Sequence, residues 1–406
     1  MSTITQGSLE TLLASIQIPD SAYVKAESRY KDLGEWFNRA DAASKKHSPH
    51  IYPQGSFRLG TVVRPLTEKG DFDLDVGCRL REGIRQTTHT QRQLKDLVRT
   101  ELEAYRIARR IEQKLEEKNR CWRLQYQDEL SFHMDVVPSI PQTNEKRTLL
   151  LEAMASKGLE RNLSASVAAP SGAITDTRKP SYDRISLDWH VSNSEGYALW
   201  FESRIKQAKL LMEVLARAQV DRLPERQRKS PLQFCVQILK RHRDVMFEKN
   251  PDPKPISIII TTLAARAYNG EEDLEAAMTS IVGGMRKFIN STVPRVPNPV
   301  NPDEDFADRW YTEEGKRLGL EKHFSEWLAT VERDLGQITT LSDSAGIQKA
   351  AANSFRVNLN EDASKVIARN NSLLAKAALI ATGARTTTFG TIGSVGVANP
   401  PHKFFG

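Results

Sequence analysis

Residues 71–76 read Asp-Phe-Asp-Leu-Asp-Val, and this alternation constrains the fold more than any other segment of the chain. Successive side chains of a strand point to opposite faces of a sheet, so the pattern predicts a β-strand. Its apolar residues would pack into a core, while Asp71, Asp73 and Asp75 would share the other face. Three like charges on one sheet face repel one another, and a bound cation relieves that repulsion. A solvated acidic face is the alternative interpretation.

A second acidic strand is predicted at residues 131–140, Ser-Phe-His-Met-Asp-Val-Val-Pro-Ser-Ile. Here Asp135 lies opposite to the apolar Met134 and Val136. If the two strands are neighbours, Asp135 completes a site of three carboxylates, and such oxygen-only sites suit magnesium or manganese. We predict two Mg²⁺ ions per site, with Mn²⁺ as a possible substitute. His133 is left out of the site because magnesium prefers oxygen ligands.

Gly55 and Ser56 precede the first acidic strand by fewer than 20 residues. A Gly-Ser turn that opens a helix presents backbone N–H groups and a hydroxyl to phosphate. Such pairs also open ordinary turns, so the turn alone carries little information. Its combination with an Asp-x-Asp strand and a later Asp-bearing strand is much more specific.

These segments together resemble the polymerase β-like nucleotidyltransferases, whose signature is Gly-Ser, a spacer, Asp/Glu-x-Asp/Glu and a distant third carboxylate. Within that group the chain resembles the CD-NTases, bacterial relatives of cyclic GMP-AMP synthase and oligoadenylate synthase. The likeness spans about residues 50–270 and rests on YPQGSFRLGTVVRPL, GDFDLDVGC, HMDVVPSI, WHVSNSEGYALWFE and LQFCVQILKRHRDVMF. It implies a bilobed α/β (α+β) fold, with a polymerase β-like core on a mixed sheet and a helical C-terminal lobe.

The resemblance also implies roles for the acidic residues. Asp73 and Asp75 would bind both metal ions, and Asp135 would be the third ligand and would orient or deprotonate the attacking hydroxyl. Asp71-Phe72-Asp73 fits the same motif, so the choice between Asp71 and Asp75 as the partner of Asp73 stays open. The spacing from Ser56 matches the cholera-type dinucleotide cyclases when Asp73 and Asp75 are the ligands, which we prefer.

The nucleotide-binding residues implied by the resemblance are Gln54, Gly55, Ser56, Arg58, Lys240 and Ser257. Lys240 falls where relatives place a lysine on the donor triphosphate, and Ser257 resembles the serine that assists it. Each has a plainer alternative. Lys240 would be one more basic residue on a solvated helix face, Ser257 would be a helix N-cap, and Arg58 would pair with an acidic neighbour.

Composition limits the class of protein. The chain has 406 residues, enough for two or three domains, with 39% hydrophobic and 27% charged residues and a net charge of +7. No run approaches the roughly 20 apolar residues of a membrane span, and the N-terminus lacks a signal-peptide pattern. The cysteines have no metal-binding spacing and suit a reducing compartment. We therefore predict a cytoplasmic protein without a membrane partner.

The predicted domain order is a nucleotidyltransferase core with an N-terminal spine helix (1–188), a helical lobe (189–384) and a flexible tail (385–406). Within this order we predict one long charged helix at 85–120 and a proline-rich surface loop at 290–304. We also predict three helices with apolar stripes, at 200–217, 230–248 and 256–268. Tyr197 and Trp200 are predicted to pack in the core rather than on a base.

The predicted activity is the synthesis of a cyclic di- or oligonucleotide second messenger from nucleoside triphosphates, ATP and/or GTP. The resemblance further implies a role in anti-phage (CBASS) defence. It also implies that a ubiquitin-conjugation-like partner couples the terminal Gly406 to targets; an ordinary disordered chain end is the alternative.

Two other functions remain open from the sequence. The first is a template-independent nucleotidyltransferase that tails RNA, although the chain shows no dense basic stripe with interleaved aromatic residues and we predict no stable nucleic-acid partner. The second is a catalytically inactive sensor that binds nucleotides or RNA. A pure binder gains nothing from keeping Asp73, Asp75 and Asp135, so we favour the enzyme.

Overall fold

The structure, a computed structural model, describes residues 12–13, 15–67, 70, 72–126, 132–205, 229–359, 364–365 and 368. Asp71, the tail at 385–406 and Gly406 lie outside these residues, as does most of the apolar stripe predicted at 200–217. The described part is a mixed α/β structure with one large sheet, as the sequence predicts.

The sheet carries the predicted acidic strands at its centre. Its strands are β1 (Pro49–Pro53), β2 (Phe72–Leu80), β3 (Glu116–Glu117), β4 (Trp122–Tyr126), β5 (Phe132–Pro141), β6 (Gly172–Ile174) and β7 (His190–Ser192). The order is β1-β2-β5-β4-β3, with β6 joined to β5 and β7 joined to β6. Strands β2 and β5 run parallel, and the other pairs are antiparallel.

The helices of the first half are α1 (Asp20–Asn38), α2 (Gly55–Arg58), α3 (Gln91–Ala108), α4 (Asn144–Ser156) and α5 (Arg161–Ala168). The prediction of one helix over 85–120 is wrong at both ends. Thr90 begins α3 with a capping box. Beyond Ala108, Arg110 has a φ of +53°, which ends the helix, and the chain continues into β3.

The second half contains α6 (Ser194–Ser203), α7 (Pro231–Met246), α8 (Ser257–Ala267), α9 (Leu274–Gly284), α10 (Glu313–Leu318), α11 (Leu320–Thr340) and α12 (Ser344–Phe355). Helices α7 and α8 match the apolar stripes predicted at 230–248 and 256–268. The stretch 290–304 is more than the predicted loop, because it contributes a two-stranded hairpin of β8 (Pro297–Asn298) and β9 (Asn301–Asp305).

Each half of the chain has its own main hydrophobic core. One packs the sheet against α1 and α3, and Tyr30 of α1 donates a hydrogen bond to the Ile51 carbonyl of β1 at 3.0 Å. The other unites the helices of the second half and also includes Met154 of α4 and Val167 of α5. The predicted boundary at residues 188/189 stays a prediction. No helix in the described ranges is long and apolar enough to cross a membrane.

Candidate active site

The acidic residues of the two central strands lie side by side. In the parallel register of β2 and β5, Asp75 is directly opposite Asp135 and Asp73 is opposite His133. Neighbouring strands are about 4.8 Å apart, so the carboxylates of Asp75 and Asp135 occupy adjacent positions on one sheet face. His133 Nδ1 also lies 3.6 Å from Asp73 Oδ1. The predicted pairing of the two acidic strands is therefore present.

The Gly-Ser turn lies directly against Asp75. The N–H of Gln54 donates to the carbonyl of Asp75 at 2.7 Å, which ties the end of β1 to β2. Gly55 follows with a φ of +57°, a left-handed conformation that favours glycine. A Cβ at Gly55 would lie 2.1 Å from Asp75 Oδ2. The close approach of this turn to the carboxylate therefore requires a glycine.

A cleft of about 620 Å³ joins this sheet face to the helical half. Ser56, Asp73 and Asp75 line its sheet side, and Lys240 of α7 and Ser257 of α8 line the opposite side. Most of the predicted site residues thus meet in one cavity between the two cores, which is where ligand sites commonly form.

Helix α7 holds one wall of this cleft through its polar side chains. Gln233 Nε2 donates to the Leu59 carbonyl at 2.9 Å, and Lys240 Nζ donates to the Thr61 carbonyl at 3.0 Å. Gln237 Nε2 donates to the Val62 carbonyl and Arg241 Nη2 to the Arg64 carbonyl. We call these four hydrogen bonds from α7 the ladder. Lys240 and Arg241 are buried, so the alternative that Lys240 belongs to a solvated basic face is wrong.

The site concentrates charges that oppose one another. Burial, with the neighbouring charges of Asp135 and Asp73, raises the pKa of Asp75 to about 6, although Lys240 and Arg123 act in the other direction. Burial, with Arg243 nearby, lowers the pKa of Lys240 to about 8 despite the attraction of Asp244, Asp75 and Asp73. At neutral pH Asp75 is therefore mostly ionised and Lys240 mostly protonated.

Comparisons with known proteins agree with this geometry. Residues 49–138 match the family described as cyclic GMP-AMP synthase DncV-like, nucleotidyltransferase domain. The chain is 27% identical over 337 residues to the c-di-GMP synthase of Roseivirga ehrenbergii, covering 82% of this chain and 79% of that protein. It is 24% identical over 326 residues to the cyclic dinucleotide synthase CdnG of Bradyrhizobium diazoefficiens, covering 78% and 72%.

Solved structures show the same fold. The structure of the Bradyrhizobium diazoefficiens CD-NTase CdnG in complex with GTP aligns with a TM-score of 0.60 at 21% identity, covering 91% of this chain and 99% of that one. Vibrio cholerae DncV in complex with a linear intermediate aligns with a TM-score of 0.54 at 16% identity, covering 88% and 96%. This chain belongs to the CD-NTase family. It is therefore a nucleotidyltransferase with the polymerase β-like fold.

Two residues predicted to contact the nucleotide, Arg58 and Gln54, are not among those that line the cleft of this CD-NTase. Arg58 forms a buried ion pair with Glu202 of α6, which is the alternative that the sequence left open. The Gln54 side chain lies along β2, with its Nε2 2.5 Å from where a Cβ on Gly77 would be. Ser257 is not an N-cap, because Ile256 occupies the N-cap position of α8 and the Ser257 hydroxyl accepts a hydrogen bond from Arg243 Nη1 at 2.7 Å.

Two basic residues of the CD-NTase site were not predicted from the sequence. Arg243 and Lys254 line the cleft beside Lys240, and both are within salt-bridge distance of Asp244. Arg123 of β4 was missed as well. Its Nε and Nη2 donate hydrogen bonds to the two carboxylate oxygens of Asp135, at 2.7 and 2.8 Å. The polar alternation of residues 121–127 was the available signal for Arg123.

The oxygen ligands of Asp73, Asp75 and Asp135 are of the kind that magnesium prefers, but the three carboxylates do not point to one common position. Among the residues the structure describes, no three potential ligands are placed to hold an ion together. Asp135 instead directs both oxygens to Arg123. Asp73 and Asp75 are nevertheless an oxygen-only donor pair beside it, and the carboxylates of Asp135 and Asp73 add to the effect of burial in raising the pKa of Asp75. These residues fit a divalent cation once Asp135 turns from Arg123.

We expect Arg123→Gln to strengthen metal binding in the absence of nucleotide. The variant frees both oxygens of Asp135 and removes a positive charge next to the site, so Mn²⁺ should bind several-fold more tightly. Titration followed by electron paramagnetic resonance of free Mn²⁺ measures this. Arg92→Gln is the matched control, because Arg92 makes the same kind of pair with the exposed Asp183. Weaker Mn²⁺ binding by Arg123→Gln would contradict the competition.

We expect Asp75→Asn to stabilise the metal-free protein at neutral pH. The folded-state pKa of Asp75 is about 6, raised from 3.8, so the stability contributed by its bound proton is present below pH 4 and lost as pH rises through 6. Because the side chain is only half-buried, we expect a gain on the order of 2 kcal/mol at pH 7.5 that disappears near pH 4. Urea unfolding in a chelator checks this, and equal stability at pH 7.5 would contradict it.

Proposed function

We propose that this CD-NTase joins two nucleoside triphosphates, at least one of them GTP, into a cyclic dinucleotide with the help of two magnesium ions. The observation that carries the proposal is the pairing of Asp75 and Asp135 across parallel strands, with Asp73, Asp75 and the Gly55-Ser56 turn lining one cleft. The relatives named as c-di-GMP synthase and cyclic dinucleotide synthase support the product class, and the complex of CdnG with GTP supports the substrate.

In the proposed reaction a ribose hydroxyl of one nucleotide attacks the α-phosphate of the other and releases pyrophosphate. In a second attack, the free ribose hydroxyl of the linear product attacks the remaining α-phosphate, releases a second pyrophosphate and closes the ring. Asp73, Asp75 and Asp135 would hold the magnesium ions, which when bound would neutralise negative charge on the reacting phosphates.

The chain's own residues would position the substrates. Gly55 and Ser56 line the cleft, and the Ser56 hydroxyl and the backbone N–H groups of this turn would bind the triphosphate. Lys240, whose ammonium lies near Asp75 and Asp73, would neutralise the triphosphate from the helical side. Asp135 would orient the attacking hydroxyl after leaving Arg123.

The test is incubation of the purified chain with the four labelled triphosphates and Mg²⁺ or Mn²⁺. We expect a small, phosphatase-resistant product that contains guanine by mass spectrometry and whose yield does not change when RNA is added. Nucleotide addition only to supplied RNA would instead establish an RNA-tailing enzyme. Nucleotide binding with no pyrophosphate release under any mixture would establish an inactive sensor.

We also propose a cytoplasmic role in anti-phage (CBASS) defence, in which a ubiquitin-conjugation-like partner couples Gly406 to targets. Both ideas rest on the family resemblance, and Gly406 lies outside the described residues. Appending one residue after Gly406 should abolish conjugates formed with such a partner, and conjugates that persist would refute the coupling.

A further inference from the structure

A second large cavity, of about 800 Å³, lies in the helical half outside the catalytic cleft. The end of α4, helices α6 and α8, and the loop 288–303 form its walls. Phe288 contributes half-buried aromatic surface, Trp200 reaches the wall from the hydrophobic core, and several prolines of the loop make the remaining wall apolar. The volume lies within the range of about 300–1,000 Å³ that is typical of small-molecule sites.

Three cations line this cavity: Lys157, Arg204 and Arg266. Arg204 donates to the carbonyls of Ala265 and Tyr268 at 3.0 and 3.2 Å. Within the described ranges neither arginine forms an ion pair, and Asp303 is the acidic residue on the wall. Burial lowers the pKa of Arg266; the nearby Tyr197 opposes this shift, and the charge of Arg204 adds to it.

This arrangement suits a ligand with separated negative charges and flat rings. Each arginine bonds only to backbone carbonyls in the described part of the chain, so each keeps N–H groups for an anion. Paired guanidiniums bind phosphate oxygens well, and Phe288 provides an aromatic surface for a base. The three cations and one carboxylate give the cavity a net positive charge of two. Two phosphodiesters carry one negative charge each, so they match this charge better than the more highly charged triphosphate does.

We propose that this cavity binds a cyclic dinucleotide, the product class of the proposed reaction, and that its occupancy acts on the catalytic cleft. The choice of ligand rests on the proposed function, whereas the cavity and its charges do not. Arg204 and Arg266 bind the phosphodiesters, and Phe288 contacts a base.

The β8–β9 hairpin links this cavity to the catalytic cleft. Arg266 Nη2 donates to the Pro297 carbonyl at 2.7 Å, and the next residue, Asn298, lines both the cavity and a recess of about 210 Å³ that reaches Gly55. A phosphodiester bound to the remaining N–H groups of Arg266 repositions this guanidinium and, through its bond to Pro297, shifts the hairpin. The product therefore lowers the turnover of the enzyme that makes it.

The test is calorimetric titration of the full chain with cyclic di-GMP, GTP and inorganic phosphate, without divalent metal so that no turnover occurs. We expect cyclic di-GMP to bind to the wild-type chain, and the double variant Arg204→Gln/Arg266→Gln to bind it at least tenfold more weakly. Arg286→Gln is the charge-matched control, because Arg286 is in the same half and donates to the Ser325 carbonyl outside the cavity. Lys240→Ala, in the catalytic cleft, should leave this binding in place.

Hydrogen–deuterium exchange of the wild-type chain gives a readout that needs no variant: cyclic di-GMP should slow exchange in residues 288–303. Unchanged affinity in the double variant, loss of binding in Lys240→Ala alone, or inorganic phosphate that binds as tightly as cyclic di-GMP would each overturn the proposal. So would unchanged exchange in 288–303. Because the ligand is supplied, a chain that makes no cyclic product but binds it here refutes the proposed function and not this site.

Discussion

Asp73→Asn and Asp75→Asn should each reduce product formation by at least about 10³-fold while the chain remains folded. Both carboxylates face the cleft, and in the proposed reaction they hold the cations that neutralise the reacting phosphates. An amide has nearly the shape of a carboxylate but lacks the charge, so the packing around it survives. The measurement is the initial rate of pyrophosphate release, with circular dichroism and thermal unfolding beside it.

The control for this pair is Asp183→Asn. Asp183 is an exposed carboxylate paired with Arg92, and it lies outside the cleft, so its loss should leave the rate unchanged. Wild-type rates in both Asp73→Asn and Asp75→Asn would reject the metal assignment. Activity in Asp75→Asn together with its loss in Asp73→Asn would shift the assignment toward the Asp71-Phe72-Asp73 alternative.

Gly55→Ala should impair activity far more than stability. The new Cβ would lie 2.1 Å from Asp75 Oδ2, so the carboxylate must move away from its position in the cleft. A half-buried side chain can turn at modest energetic cost, but the displaced carboxylate no longer serves the site. We expect a loss of activity of about 10²-fold or more, and a stability loss of about 1–3 kcal/mol from the left-handed backbone and the clash.

Gly158→Ala separates these two causes. Gly158 also has a positive φ, of +89°, but a Cβ there meets nothing within 4 Å. That variant should lose about 1 kcal/mol of stability through backbone strain and keep the wild-type rate. Full activity in Gly55→Ala would show that the turn does not press on Asp75 as described.

The centre of the site was predictable because its signals are local. Alternation identified β2 and β5 and assigned Asp73, Asp75 and Asp135 to their polar faces. The pairing of these strands was a chemical inference, since a cation site needs the carboxylates on neighbouring strands. The register that places Asp75 opposite Asp135 agrees with it.

The partners of the charged residues were not predictable in the same way. Arg58 meets Glu202 across 144 positions of sequence, and no local pattern specifies such a pair. Arg123 is one polar residue in an alternating strand, and only the register of β4 with β5 places it opposite Asp135. The helix predicted over 85–120 was too long because its charged composition favours a helix throughout, whereas Arg110 adopts a left-handed conformation that composition does not reveal.

The ladder from α7 to the carbonyls of residues 59–64 has a consequence for how this enzyme can diversify. All four side chains, Gln233, Gln237, Lys240 and Arg241, bind backbone oxygens. Hydrogen bonds to backbone carbonyls do not depend on which side chains the bound segment carries, provided that its backbone keeps the same conformation. Residues 61–67 border the cleft; Thr61 and Val62 are buried, but residues 63–67 can change between related enzymes without loosening the contact between the two halves.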